Sequence, residues 1–186
     1  MKTNFFVGNQ SIDYYFDKIN NHVKNIISEQ KNNISNLIRI TFIHTNFNIF
    51  DCNKAYFVND SIENICIRCT SIDHLDILLL EKDLGSYLSS LKEFYSTKKL
   101  FKNTEYSTNI HWYPANSKIP IARMDYHNDK PYDISLIHQN SFGLVIDEDD
   151  TVFNKGLIAF ESKKRHQVKY CELERFSIST FFKYVE

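Results

Sequence analysis

The densest group of side chains able to do chemistry lies between residues 106 and 127. It contains two imidazoles, a guanidinium, a carboxylate and an amide, which belong to His111, His127, Arg123, Asp125 and Asn109. Such groups can bind an anion, hold a divalent metal ion or exchange protons as general acids and bases. They also occur on any solvated face of a sheet. On that ground we favour a protein-binding surface here and predict neither a metal ion nor a cofactor.

The same segment predicts a β-hairpin, because a turn-like run at residues 114–118 separates two alternating stretches. In the register that pairs Trp112 with Ala122, one face of the hairpin is almost wholly apolar. The other face then carries the five polar residues. A shift by one residue would mix polar and apolar groups on both faces, so we predict that Trp112 lies in the core.

A second polar group consists of Asp133, Glu161 and Lys163. Glu161 and Lys163 would share one face of a strand. The arrangement resembles the PD-(D/E)xK nucleases, in which two carboxylates hold Mg²⁺ and the lysine assists the attacking water. However, residues 29–31 match the same short pattern inside a predicted helix, and no βαβ unit surrounds the motif. We therefore keep a nuclease as an alternative, together with a hydrolase that uses His111, Asp125 and His127.

One run of four acidic residues could offer negative charge to a basic partner: Asp147, Glu148, Asp149 and Asp150. The run lacks the alternating oxygen ligands and the glycine of an EF-hand loop. We predict that it forms a solvated turn between two strands, and we include it in the predicted partner-binding surface.

The four cysteines predict buried thiols rather than a zinc site. Cys66 and Cys69 form a single pair, while Cys52 and Cys171 are isolated, and zinc sites usually need a second pair. The first ten residues contain only a short apolar stretch, and the longest aliphatic run covers residues 77–80. Both are too short for a signal peptide or a membrane span. We therefore expect a protein of the reducing cytoplasm, without membrane contact.

The overall composition favours one globular domain over residues 1–186, with 42% hydrophobic and 24% charged residues. The formal net charge of −1 argues against nucleic acid as a partner, since phosphate binding usually requires a basic excess.

Periodicity of the apolar residues predicts the elements of this domain. Helical spacing covers residues 11–31 and 70–99, and alternating or β-branched runs cover 36–70 and 106–173. Apolar residues from 178 to 185 predict a short closing helix. We therefore predict an α+β fold: a mostly antiparallel sheet with two long helices and a short C-terminal helix packed on it.

Since no motif forces a reaction, we predict that this domain binds another protein, such as a toxin or a defence enzyme. An immunity protein that neutralises a bacterial toxin, or an inhibitor from a phage or mobile element, fits a small near-neutral domain rich in Tyr and Asn. The metal-dependent nuclease or hydrolase is the alternative.

Overall fold

The computed structural model describes residues 4–6, 10–29, 37–45, 48–58, 67–68, 74–96, 104–113, 115, 126–141, 143–146, 151–168 and 172–184. Within these ranges it describes the side chains of residues 10–29, 75–94, 107–113, 115, 126–141, 143–146, 152–168 and 172–183.

The two long helices predicted from the sequence are confirmed as α1 (Gln10–Glu29) and α2 (His74–Ser96). One stripe of α1 is buried, because its apolar residues recur every three or four positions. The helices pack against each other, and Lys18 of α1 pairs with Asp83 of α2 at 2.7 Å. No described helix is long and apolar enough to cross a lipid bilayer.

The strands of the described chain are β1 (Asn4–Phe6), β2 (Leu37–Thr45), β3 (Asn48–Val58), β4 (Ile67–Arg68), β5 (Thr104–Tyr113), β6 (Ile134–Gln139), β7 (Leu144–Ile146), β8 (Thr151–Phe153), β9 (Gly156–Glu161), β10 (His166–Val168) and β11 (Arg175–Tyr184).

These strands form two antiparallel sheets. The large sheet has eight described strands in the order β1-β9-β6-β11-β5-β2-β3-β4, and the small sheet has three in the order β10-β7-β8. His127 extends the small sheet through an isolated bridge to His166. The α+β class and the antiparallel sheet predicted from the sequence are therefore confirmed.

Two apolar clusters among the described residues hold the layers together. The first joins the buried faces of both helices to one face of the large sheet and includes Phe16, Tyr87 and Trp112. The second lies between the two sheets and includes Ile137, Leu144 and Phe160. Burial of such side chains contributes about 1.5–3 kcal/mol each. The layers are thus helices, large sheet and small sheet.

The predicted C-terminal helix is wrong, because this segment is strand β11 at the centre of the large sheet. Ile178 and Phe182 face the helices, whereas Ser177 and Ser179 face the opposite side and line the space between the sheets. The run is rich in β-branched and aromatic residues, and β5 and β6 pair with its two edges. Pairing with both neighbouring strands stabilises the extended conformation more than the short apolar spacing stabilises a helix.

The predicted hairpin is also wrong. Both edges of β5 are already paired, one with β2 and the other with β11. Residues 118–125 of the predicted second strand lie outside the described residues. Trp112 nevertheless lies in the core, 5% exposed, as its alternation predicts. Arg123 and Asp125 lie outside the described residues.

Candidate metal centre and its cavity

A partly open cavity of about 300 Å³ is lined by residues of both sheets. Polar side chains of β5 and β11 form much of its floor. The small sheet, Ile137 of β6 and the segment before β6 also contribute to its lining. Strand alternation explains the polarity of the floor, because the opposite faces of β5 and β11 are already committed to the apolar core. We call this space the intersheet cavity.

Three metal-ligating side chains meet at the intersheet cavity: His127, Asp129 and His166. One ligand atom from each residue lies within 4.8 Å of the other two, and no other group of this kind occurs among the described side chains. His166 Nε2 is 3.3 Å from Asp129 Oδ2, and the two imidazole rings are 4.4 Å apart between centroids. We call these residues the histidine–aspartate triad.

Backbone hydrogen bonds fix the triad at the edge of the small sheet. The amide of His127 donates to the carbonyl of His166 at 2.9 Å, and the amide of His166 donates back at 2.8 Å. The amide of Asp129 donates to the carbonyl of Ser162 at 2.9 Å. Segments distant in the sequence are therefore held in one register by main-chain contacts.

Hydrogen bonds behind the triad orient its side chains. Ser135 Oγ donates to Asp129 Oδ2 at 2.5 Å. Because Ser135 has a single hydroxyl proton, the contact of 2.8 Å with Ser162 Oγ requires Ser162 to donate. His166 Nδ1 lies 3.1 Å from the carbonyl of Lys164, which can only accept, so Nδ1 carries the proton. That tautomer leaves Nε2, which faces Asp129, available to a metal ion.

The electrostatics of the cavity favour the ligand form of His166. Burial lowers the pKa of His166, attraction by Asp129 opposes this, and the neighbouring His127 lowers the pKa further. A neutral imidazole is the form that coordinates metal ions.

Arg175 lies at the cavity floor and is 2% exposed. Its Nη1 donates to Ser177 Oγ at 3.1 Å and its Nη2 donates to Gln139 Oε1 at 3.0 Å. The guanidinium also lies over the ring of Tyr113, 5.3 Å from the centroid. Both of these hydrogen-bond partners are neutral. A planar guanidinium presents paired donors that match a carboxylate.

Three of the predicted partner-binding residues lie at this cavity: Asn109, His111 and His127. Asn109 and His111 are buried, 6% and 5% exposed. Only His127 belongs to the triad. Arg123, Asp125 and the acidic run at residues 147–150 lie outside the described residues, so the proposed hydrolase group cannot be placed in full.

The three residues of the nuclease alternative lie outside the described histidine–aspartate triad. Glu161 and Lys163 pair at 2.9 Å, with Lys163 73% exposed. Asp133 is exposed and takes no part in the described metal-ligating group.

Sequence reasoning missed Asp129, His166 and Arg175. One signal was present, because His127 and Asp129 are two residues apart and side chains at that spacing share a side in extended chain. His166 and Arg175 carry no local signal, since their partners are remote in the sequence.

Comparison with known proteins supports the fold. No protein-family model and no curated protein matches the chain. A putative 2OG-Fe(II) oxygenase family protein from Caulobacter crescentus is similar in structure, with a TM-score of 0.52, 13% identity, and coverage of 97% of this chain and 76% of that one. A rice dioxygenase for auxin oxidation has a TM-score of 0.50 and 9% identity, over 94% of this chain and 69% of that one.

These likenesses overturn the predicted immunity protein or toxin inhibitor, which is wrong. The chain has a fold found in oxygenases, and in this chain metal-ligating side chains meet at the intersheet cavity. The inhibitor hypothesis rested on the lack of a catalytic motif in the sequence. The triad forms no motif in the sequence, because its residues come together only through sheet pairing.

Proposed function

We propose that this protein is an Fe(II)-dependent oxygenase that uses 2-oxoglutarate as its co-substrate. One observation carries the proposal: the histidine–aspartate triad and Arg175 line the same cavity. A metal-ligating set and a carboxylate-binding group are thereby placed around one space. The names of the similar structures agree with this chemistry.

The donor set of the triad fits iron. Two imidazole nitrogens and one carboxylate oxygen, with open positions beside them, are the ligand arrangement of non-heme Fe(II) oxygenases. Iron bound there would supply the redox chemistry that activates molecular oxygen. The triad lines the cavity, which gives small molecules room to approach it.

The other residues of the cavity bind and orient. Arg175 would receive the distal carboxylate of 2-oxoglutarate through two parallel N–H donors, and Ser177 would add a hydroxyl donor beside it. The apolar side chains of Ile137, Leu144 and Val168 also line the cavity. Apolar surroundings lower the local dielectric constant and strengthen the attraction between the guanidinium and a carboxylate.

The proposal is tested with purified protein under anaerobic conditions. Titration with Fe(II), followed by 2-oxoglutarate, should show one equivalent of each bound, and admitting oxygen should release labelled CO₂ from carbon 1 of 2-oxoglutarate. Slow release without a second substrate is sufficient. If either Fe(II) or 2-oxoglutarate fails to bind, the proposal is wrong. The cytoplasmic location and a protein partner stay predictions.

A further inference from the structure

Gln139 is the residue that connects Arg175 to the corner between the two sheets. It ends β6, is fully buried, and pairs with Ser177 on one side and with Gly156 on the other. Its amide makes three described hydrogen bonds.

The orientation of this amide follows from its partners. Nε2 donates to the carbonyls of Phe153 and Asn154, each at 2.9 Å. Backbone carbonyls only accept, so the NH₂ group must face them and Oε1 must face Arg175. The amide therefore accepts from Nη2 of Arg175 in the one orientation that satisfies all three contacts.

The two carbonyls belong to the turn where the chain crosses from one sheet to the other. β8 ends at Phe153 in the small sheet, and β9 begins at Gly156 in the large sheet. Gly156 has a φ of 135°, a conformation that side chains other than glycine rarely adopt. Gln139 thus links the Arg175 guanidinium, through hydrogen bonds, to the turn between β8 and β9.

We propose that Gln139 is a positioning residue, which aims the Arg175 guanidinium at the distal carboxylate of the co-substrate. The inference rests on the proposed function. A neutral amide suits the task, because it orients the cation without neutralising it, whereas Glu at this position would form an ion pair with Arg175 and compete with the co-substrate.

The test compares 2-oxoglutarate with pyruvate, a 2-oxo acid that lacks the distal carboxylate. Both are titrated calorimetrically into Mn(II)-loaded wild-type protein and Gln139→Met. We expect 2-oxoglutarate to bind Gln139→Met roughly 10- to 100-fold more weakly, as for a lost hydrogen bond to a charged group. The affinities for pyruvate and Mn(II) should not change. A purely structural role would weaken both acids alike.

Thr180→Val is the matched control. Thr180 is a buried residue of β11, and its hydroxyl lies 3.2 Å from that of Thr108. This contact lies on the helix-facing side of the sheet, away from the cavity. It should lower stability and leave both affinities unchanged. Gln139→Asn keeps an amide that is one methylene shorter, and it should weaken 2-oxoglutarate binding in the same direction.

A measurement on the wild-type protein covers the case in which neither variant folds. With Zn(II) in the site, the side-chain amide resonances of Gln139 should move when 2-oxoglutarate binds and stay in place with pyruvate. Equal effects of the two acids, or an unchanged 2-oxoglutarate affinity in Gln139→Met, would overturn the inference and leave the proposed function standing. Failure of wild-type protein to bind Mn(II) or 2-oxoglutarate would instead refute the proposed function.

Discussion

The main chains of His127 and His166 exchange two hydrogen bonds, of 2.9 and 2.8 Å, in an isolated antiparallel bridge. This bridge sets the two imidazole rings 4.4 Å apart between centroids. Asp129 follows His127 closely and is fixed by its own backbone hydrogen bond to Ser162. The geometry of the triad is thus a property of strand pairing.

Replacement of one triad residue should abolish metal binding. We expect His166→Ala to weaken the binding of Mn(II) by more than the roughly 10- to 100-fold typical of losing an outer hydrogen-bond partner, because a direct ligand is lost. Calorimetric titration measures this. His22→Ala is the control, since His22 of α1 contacts Asp76 of α2 and does not belong to the triad. Equal Mn(II) affinity in the two variants would contradict the metal centre.

Ser135 orients the Asp129 carboxylate, and its removal should weaken metal binding without abolishing it. We expect Ser135→Ala to lower the Mn(II) affinity by roughly 10- to 100-fold, because Asp129 loses the hydroxyl that holds Oδ2. Ser90→Ala is the matched control, as it breaks another serine–serine contact, of 2.9 Å with Ser11 between the helices. Wild-type affinity in Ser135→Ala would show that the carboxylate needs no such support.

Substitution of Arg175 should change the affinity for 2-oxoglutarate but not the affinity for the metal ion. We expect Arg175→Lys to keep the positive charge but to lose the paired donors, so that 2-oxoglutarate binds about tenfold more weakly or worse. The Mn(II) affinity should stay at the wild-type value. Arg165→Lys, at an exposed arginine over the ring of Tyr126, is the control. Unchanged 2-oxoglutarate binding in Arg175→Lys would remove Arg175 from the proposed co-substrate site.

His138 should make the protein less stable in acid. It is buried against Phe16 and Tyr87, and burial, with a further contribution from Lys155, lowers its pKa from 6.5 to about 3. Asp13 Oδ1 lies 3.4 Å from its Nε2 but is half exposed, so water screens that attraction. Between pH 6.5 and about 3, the imidazole of His138 is therefore more often protonated in the unfolded chain than in the folded one. The free energy of unfolding then falls as the pH falls, by up to about 1.4 kcal/mol per pH unit.

Denaturant unfolding between pH 7 and pH 4 measures this dependence. His138→Phe should reduce the slope, because the buried imidazole at this position is gone. Tyr87→Phe removes the contact of 3.2 Å to His138 Nδ1 and keeps the imidazole, so the slope should persist. A wild-type slope in His138→Phe would assign the acid sensitivity to other groups.

Strong local patterns were enough to predict parts of this fold. The three- and four-residue spacing of apolar residues in α1 and α2 predicted both helices, because each helix buries one stripe against the large sheet. Alternation along β5 predicted that Trp112 lies in the core and that His111 lies on the other face. The near-neutral charge, by contrast, carried no information about the cavity.

The sequence by itself determined the α+β class, the two long helices and the two-sided character of β5, since these depend on residues close together in the chain. Only the tertiary structure decided that Arg175–Tyr184 is a central strand and that His127, Asp129 and His166 meet. It also placed Arg175 at the same cavity. The physical reason is that strand partners are chosen by pairing between remote segments, and neither spacing nor composition within one segment encodes that choice.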